Sequence, residues 1–578
     1  MSFPTVSLRP FALLLFVVVL AFCQPVHAFP LPNFIEELIV VCGTLFGAGL
    51  LFWRSRQLRL TVWLLMWLIL GALFVVSGWL HPAPFVSAKL FIGVFWFMGL
   101  LALVIGDQLD WDAEGERLSD VLAVALLAGA LICAIGGFLH FYGLLGDFGR
   151  AYLPVVTGGR WRGLVGHSNF FAFICFLGML AVGWVYAVRH LIGLPLAIFC
   201  LLVLATSLIG SGSRAVLVAW VFVIGVLFFL RRKEGVSPWL WVMLGSFFFY
   251  WAFRPIFFTL DDWAQTGVAS AGSADVLSRG AVSSPRLEEW RVALDIILQN
   301  FWGGVGVGNY PGNSFQHRLD LALTSSNLLF VHSHNLILQL LAELGVAALI
   351  WLLALVGVAV TALKKTLSSR SRLLPVLVLA SIQIYGMFEF PLWMMHFLVL
   401  HMLLLGALGG PAMVVKLKVG KVFSGIIFAA FLAVMIIYLP LTERLVWSYK
   451  QYFLRAPTDS RSYTFVDSMI RDPLLEPYGY LVYFANFDIA PASLGRERDV
   501  LLRFKNYMPY PAVLVRLSLV YMAGGDELKA QAVLLEMRRF YGDSHEGKLA
   551  EQIAATQKFF PDIPFERLKL PVAAKPAE

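Results

Sequence analysis

The chain has 578 residues, 59% of them hydrophobic and only 14% charged, with a net charge of +8 and a mean hydropathy of +0.79. Apolar runs of 18 or more residues recur, each long enough to cross a bilayer core of about 30 Å as a helix and too long for barrel strands, so a soluble enzyme and a β-barrel are both excluded. The positive charge falls largely in short loops, where it reads as a topology signal and not as a nucleic-acid surface.

The predicted class is an all-α polytopic membrane protein with about 12–13 transmembrane helices. Arg9 precedes an apolar run that ends Pro25-Val26-His27-Ala28, so residues 1–30 read as a first transmembrane helix or a signal-like segment. Further spans are predicted at 34–52, 60–80, 86–106, 119–141, 163–187, 190–209, 215–230 and 238–260, closing an N-terminal bundle over 31–260. A large polar loop follows at 261–334. Spans at 335–360, 373–392, 393–410 and 422–440 form the C-terminal transmembrane part, 335–440. Alternating spans place the loops bearing Arg54, Arg56 and Arg59, then Arg231, Arg232 and Lys233, then Lys364, Lys365, Arg370 and Arg372, then Lys416, Lys418 and Lys421 on one face, which is therefore expected to be cytoplasmic. The opposite face receives the 142–162 loop, the turn at Arg214, the 261–334 loop and the tail 441–578. The tail has mixed charge and short apolar runs. Ala512, Leu514, Leu517, Val520 and Tyr521, then Leu528, Ala532, Leu535 and Met537 after Gly524-Gly525, give paired amphipathic helices resembling one tetratricopeptide-like hairpin. The five cysteines lie in apolar spans without metal or disulfide spacing and read as packing residues.

The candidate chemistry gathers on the non-cytoplasmic face. His332-Ser333-His334-Asn335 closes the polar loop where an apolar helix begins. An imidazole with an ordinary pKa of about 6.5 suits proton transfer, so His334 is the candidate base and His332 the lesser one. The helix N-terminus there offers backbone N–H groups to an anion. Asn335, Gln339 and Glu343 are spaced by four and share a helix face, Glu343 about 12 Å along from Asn335 at ~1.5 Å per residue. An intramembrane carboxylate is either functional or a structural hydrogen-bonding group, and both readings stand for Glu343. Arginines are unusual on this face. Arg279, Arg286 and Arg291 lie in the large loop, Arg160 and Arg162 before His167-Ser168-Asn169, and Arg214 at the end of Gly210-Ser-Gly-Ser-Arg214. A guanidinium pairs two-pronged with phosphate oxygens, so an anionic diphosphate ligand is the expected partner. Ser284-Pro285 reads as the start of an amphipathic helix. The glycines of Gly303-Gly304-Val-Gly306-Val-Gly308 are either a close approach to phosphate or a plain tight turn, and they match no nucleotide-binding pattern. Tyr385 and Glu389 sit near the outer end of a span, where Glu389 either meets a loop arginine or reaches the interface. Asp261-Asp262 lack histidine partners and are not read as a metal site.

Taken in order, Arg160-Trp-Arg-Gly-Leu-Val-Gly-His-Ser-Asn169, Gly210-Ser-Gly-Ser-Arg214, Ser284-Pro-Arg286 through Trp290, Gly304-Val-Gly-Val-Gly-Asn309 and His332-Ser-His-Asn335 resemble the O-antigen ligase/polymerase superfamily of bacterial inner-membrane glycan transferases. Glu389-Phe390-Pro391 and the long tail make the chain most similar to protein O-oligosaccharyltransferases of the pilin-glycosylating kind. It departs from the pattern at Phe390, where a tyrosine is expected, and at His167-Ser168, where Gln-Pro is common. The resemblance implies a C-type glycosyltransferase fold in the inner membrane and no nucleotide or metal cofactor. It implies a polyprenyl-diphosphate-linked oligosaccharide donor, en bloc transfer on the periplasmic face, and a pilin-like acceptor protein. His334 is then the catalytic residue. Arg214, Arg286, Arg160 and Arg279 hold the diphosphate, with Asn335, Glu343, Glu389, Tyr385, Arg162, Asn169 and His332 in support. An O-antigen ligase acting on lipid A-core, an O-antigen polymerase, and a lipid-glycan flippase are the alternatives. A transporter would place its charges at mid-membrane, whereas here they cluster at one face.

Overall fold

The computed structural model describes residues 8–27, 31–54, 57–59, 61–153, 160–264, 285–323, 328–367, 369–409, 417–418, 421–453, 460–542 and 546–568. Among the described residues the regular structure is helical apart from one two-residue antiparallel pairing of Gln57–Leu58 with Leu417–Lys418. In chain order the first helices are α1 (Arg9–Cys23), α2 (Phe34–Arg54), α3 (Val62–Leu80), α4 (Val86–Asp107), α5 (Trp111–Phe141), α6 (Gly146–Tyr152), α7 (Ser168–Val182, prolonged by a π turn Gly183–Val188), α8 (Leu194–Ser211), α9 (Ala215–Leu230) and α10 (Val236–Ala264). Then follow α11 (Pro285–Gln299), α12 (Tyr310–Asp320), α13 (Leu336–Leu344), α14 (Val346–Thr366), α15 (Leu373–Tyr385), α16 (Met395–Leu408) and α17 (Lys421–Phe453). The tail holds α18 (Ser460–Arg471), α19 (Glu476–Asn486), α20 (Leu494–Lys505), α21 (Pro511–Ala523), α22 (Glu527–Tyr541) and α23 (Glu546–Gln557). Among the described residues eight helices, α2, α3, α4, α5, α7 with its π turn, α8, α10 and α17, are long and apolar enough to cross a membrane. Shorter apolar helices α1, α9, α14 and α16 fall where the sequence places further spans. The protein is a multi-pass membrane protein.

Two compact units divide the chain. The first comprises Met1–Leu70, Val94–Gly280 and Leu352–Pro457. Its centre is α7, apolar on every side and buried from Phe170 to Val182, with α5, α8 and α9 packed around it. By contrast α17, lying along α2, leaves Leu432, Ile436 and Ile437 exposed, as a lipid-facing helix does. Helices α4 and α16 cross backbone to backbone: a Cβ on Gly106 would stand 2.2 Å from the Leu403 carbonyl oxygen, and one on Gly406 2.3 Å from that of Leu103. Small residues permit such contacts between spanning helices. Segment α1 packs against α2, α5 and α16. The span expected at 163–187 starts only at Ser168, because Gly163 and Gly166 (φ +63° and +72°) turn the chain first and His167 Nδ1 then accepts from the Phe170 N–H at 3.4 Å. The span expected at 373–392 stops at Tyr385.

The second unit comprises Gly71–Gly93, Ala281–Trp351 and Thr458–Glu578. The region read as a polar loop contains α11 and α12, which pack with α13. The span expected at 335–360 is broken at Gly345 (φ +60°, ψ −141°), where α13 ends and α14 begins. The cause is a close approach: the Val346 N–H donates to the Phe301 carbonyl at 2.7 Å, and a Cβ on Gly345 would stand 2.5 Å from that oxygen. Glu343 therefore lies in a nine-residue helix of this unit, not within a continuous spanning helix. Gly345→Ala is expected to destabilise the protein by at least about 1 kcal/mol, read as a lower melting temperature in detergent. An unchanged melt would mean that the turn is not held in this conformation.

The tail is helical, as its periodicity predicts. The Gly524-Gly525 turn joins α21 to α22, and Asp526 caps α22 by accepting from the Lys529 N–H. Two differences matter. Helix α17 runs unbroken through Pro440 to Phe453, beyond the boundary expected at 441. The tail also shares its core with Phe85, Ala88 and Phe315, so it is not a separate body. The Phe85 and Phe504 rings lie 4.7 Å apart, tilted by 58°, and Arg503 Nε donates to the Pro84 carbonyl at 2.9 Å.

Candidate functional site

In the second unit the chain enters α13 through His332-Ser333-His334-Asn335. His334 holds φ +53°, a left-handed conformation that costs a non-glycine residue about 1–3 kcal/mol and is met mostly where the surroundings impose it. Its Nδ1 lies 3.0 Å from the His332 carbonyl. A carbonyl only accepts, so Nδ1 carries the proton and Nε2 of the neutral ring is the basic nitrogen. Burial, followed by the positive charge of Arg286, pushes His334 down to about 4, while the hydrogen bond to the His332 carbonyl works the other way. The ring is thus neutral at ordinary pH, which a proton acceptor requires. His332, more enclosed, is pushed down to about 3 by burial and by His334.

The support for this segment is a buried ionic network that sequence reasoning did not find. Glu289 is fully buried on α11 and accepts from Tyr310 Oη (2.7 Å), Ser314 Oγ (2.7 Å) and Arg318 Nη2 (2.8 Å). Arg318 is 1% exposed, and its guanidinium lies 5.5 Å from the centre of the Phe330 ring. Phe330 in turn meets His334 edge to face at 5.2 Å. A signal was available. Glu289, Val292, Ala293 and Ile296 follow the i, i+3, i+4, i+7 spacing of one helix face, so Glu289 stands on the apolar side of α11. The partner Arg318 carried no such mark. Nearby, His317 Nδ1 and Asp295 Oδ2 of α12 and α11 are 2.7 Å apart.

The polar stripe Asn335–Gln339–Glu343 forms as expected, and its role is internal. Asn335 caps α13, its Oδ1 accepting from the Ile337 and Leu338 N–H groups at 3.1 Å each. The N-terminus expected to receive an anion has thus given two of its N–H groups to its own cap. Gln339 Oε1 accepts from the Ser333 N–H (2.8 Å), Gln339 Nε2 donates to Glu343 Oε1 (3.1 Å), and the same oxygen accepts from the Gly308 N–H (3.1 Å). This strut joins the histidine segment to the glycine run. The glycine run is a tight turn: Val305 and Gly306 N–H groups donate to the Ala342 and Glu343 carbonyls, and Val307 N–H to Ser77 Oγ. Gly304 and Gly306 are required because a Cβ there would strike the Glu343 backbone (2.3 Å) and His81 (2.3 Å). The phosphate-approach reading is not supported, since the Gly304, Gly306 and Gly308 amides are already engaged.

In the first unit, Arg160, Asn169 and Glu389 form a chain. Arg160 Nε donates to the Ser211 carbonyl (2.7 Å) and Nη2 to Asn169 Oδ1 (2.9 Å), and Asn169 Nδ2 donates to Glu389 Oε1 (2.6 Å). Glu389 is 1% exposed, so it does not reach an interface, and the arginine expected beside it acts through one amide. The Trp161 N–H donates to the Gly210 carbonyl at 3.0 Å, tying this segment to the turn that ends in Arg214. Arg214 precedes α9 and is exposed, and Arg162 is half-exposed. Tyr385 belongs to the aromatic core: it is fully buried and stacked on Phe173 at 4.2 Å and 2°. Phe390, standing where a tyrosine was expected, packs edge-on against Phe170 at 5.2 Å. Arg279 and Ser284 lie outside the described residues.

Residues 198–353 match a family model described as O-antigen ligase, a stretch that includes Arg214, Arg286 and His332 through Glu343. Residues 373–555 match one described as the C-terminal part of a virulence factor membrane-bound polymerase, a stretch that includes Tyr385, Glu389 and most of the tail. Arg160 and Asn169 lie in neither. No curated protein matches the chain.

Proposed function

We infer, for a chain that belongs to the O-antigen ligase/polymerase superfamily, that the glycan it transfers arrives on a polyprenyl (undecaprenyl) diphosphate and leaves en bloc on a serine or threonine hydroxyl of a periplasmic or pilin-like protein. The single observation behind the reading is His334: an imidazole kept neutral, with its proton on Nδ1 and an arginine close by. In the reaction His334 Nε2 takes the hydroxyl proton of the acceptor. The oxygen attacks the anomeric carbon from the side opposite the leaving group, the bond from that carbon to the phosphate oxygen breaks, and the polyprenyl diphosphate departs with its negative charge. The leaving group is already activated, so the protein's task is positioning and neutralisation of charge. Arg286 is assigned to that charge in the second unit and Arg160 and Arg214 in the first, with Arg279 a further candidate and Arg162 in support. The distribution of loop charge supports an inner-membrane protein with this chemistry on the periplasmic side. The helical tail favours a protein acceptor, because it offers an extramembrane surface to dock one. The match to a polymerase C-terminal region favours a second reading, the joining of repeat units. Expression beside a lipid-linked glycan pathway separates them: sugar on periplasmic protein supports the first, lengthened lipid-linked glycan the second, and sugar on lipid A-core a ligase.

A base must be neutral, so transfer is expected to hold through neutral pH and to fall only as pH drops toward about 4. Arg286→Gln removes one of the two causes that hold His334 down. The acid limb of kcat/KM should then move to higher pH, toward about 6.5. A limb that stays where it was would separate Arg286 from the base. Arg286→Lys keeps charge but loses the two-pronged geometry, and unchanged donor affinity in that variant would argue against a diphosphate clamp.

A further inference from the structure

A second titratable cluster in the first unit is not used by the reaction just described. Glu36, on the first turn of α2, is fully buried. Its Oε1 lies 3.5 Å from His27 Nδ1 and its Oε2 3.7 Å from Nδ1 of His396, itself 1% exposed on α16. No closer hydrogen-bond donor reaches the carboxylate among the described residues. His27 shows what the carboxylate is for. Its Nε2 is 2.8 Å from the Leu164 carbonyl and its Nδ1 3.1 Å from the Pro32 carbonyl. Carbonyls only accept, so the two contacts are hydrogen bonds at once only when both ring nitrogens carry protons, as in an imidazolium. Burial opposes that charge and pushes His27 below its ordinary value, while the two carbonyl contacts work the other way. The charge set to favour the imidazolium is Glu36, 3.5 Å from Nδ1.

Leu164 lies in the middle of the turn that separates Arg160 from Asn169. The His27 ring also fills the place of a side chain at Gly166: a Cβ there would stand 2.9 Å from His27 Nε2. Beyond the turn runs the Arg160–Asn169–Glu389 chain.

We propose that Glu36 is a positioning residue for Arg160 and Asn169: set between His27 and His396, it keeps His27 able to donate to two carbonyls at once, and His27 clamps the Leu164–Gly166 turn that aims the arginine. The proposal rests on the assignment of Arg160 to the donor diphosphate. Without Glu36 the ring becomes neutral, loses one N–H and releases one carbonyl. Glu36 touches no substrate and acts only through the turn.

The test is a double-mutant cycle on the full chain in detergent, with a polyprenyl-diphosphate glycan as donor. Glu36→Gln should raise the donor KM by about tenfold while changing kcat less, the effect of a misplaced binding group. In an Arg160→Ala background the same substitution should add almost nothing, since the two act on one contact. Glu36→Asp should recover part of the affinity. Hydrogen exchange of the 160–169 backbone should quicken in Glu36→Gln. If Glu36→Gln fails to fold, His27→Gln is carried through the same cycle with the same expectation. Full additivity with Arg160→Ala, or wild-type donor KM in Glu36→Gln, overturns the proposal and leaves the functional reading standing. A wild-type donor KM in Arg160→Ala overturns the donor role of Arg160 instead. The exchange rates then decide the clamp: faster exchange in Glu36→Gln upholds it, and unchanged exchange overturns it.

Discussion

His334→Ala is expected to lower glycan transfer by about 10²–10⁴-fold, the usual contribution of a positioned acid–base group, while the protein still inserts and folds. Alanine at φ +53° keeps the backbone strain of the native residue without its side-chain contacts, including the edge of Phe330. His334→Asn is therefore the sharper variant. Asparagine adopts the left-handed conformation more readily than most residues, so it preserves the turn while removing the base. Both variants should be equally inactive at saturating donor, with donor KM changed little. Transfer within a few-fold of the native rate in His334→Asn would show that the reaction runs without this imidazole, and the mechanism would have to be abandoned.

The second large effect is on stability. Glu289→Ala should cost about 3–5 kcal/mol, because it leaves the Arg318 guanidinium, 1% exposed, without its buried counter-charge and strands Tyr310 and Ser314 as well. The measurement is chemical denaturation in detergent, with limited proteolysis to follow α11 and α12. The pair Glu289→Leu with Arg318→Met should lose much less than either charge deleted alone, since an apolar replacement of both partners removes the desolvation penalty together with the attraction. A single Glu289→Ala variant as stable as the native chain would mean that the network is hydrated and holds nothing. Transfer is expected to fall with stability, because Arg318 packs on Phe330 and Phe330 on His334.

Much of the molecule was legible residue by residue. Apolar length marked the spanning helices, and the i, i+4 spacing of Asn335, Gln339 and Glu343 marked one helix face. The meaning of that face was not legible. Glu343 looked like a carboxylate inside the membrane because the apolar run continues past it. Gly345 breaks the run for a reason that lies 44 residues earlier, in the carbonyl of Phe301. The glycines of 303–308 permitted a phosphate cradle or a turn, and hydrogen bonds to the α13 carbonyls, to Glu343 and to Ser77 decided for the turn. Tyr385 carried a hydroxyl in a promising place, yet the ring stacks into the core.

Taken alone, then, the amino-acid order determined the class of the protein, the placement of most helices, the helical nature of the tail and the short set of arginines and histidines worth testing. These follow from hydropathy and periodicity, which act along the chain within a few turns. Only the tertiary structure decided which polar groups are partners: Arg160 with Asn169 and Glu389, Glu289 with Arg318, His27 with Glu36 and His396. A buried charge must find a counter-charge or donors wherever packing brings them, at separations that reach 360 residues between Glu36 and His396. Local pattern can show that a charge is to be buried, but the group that receives it is chosen by the fold.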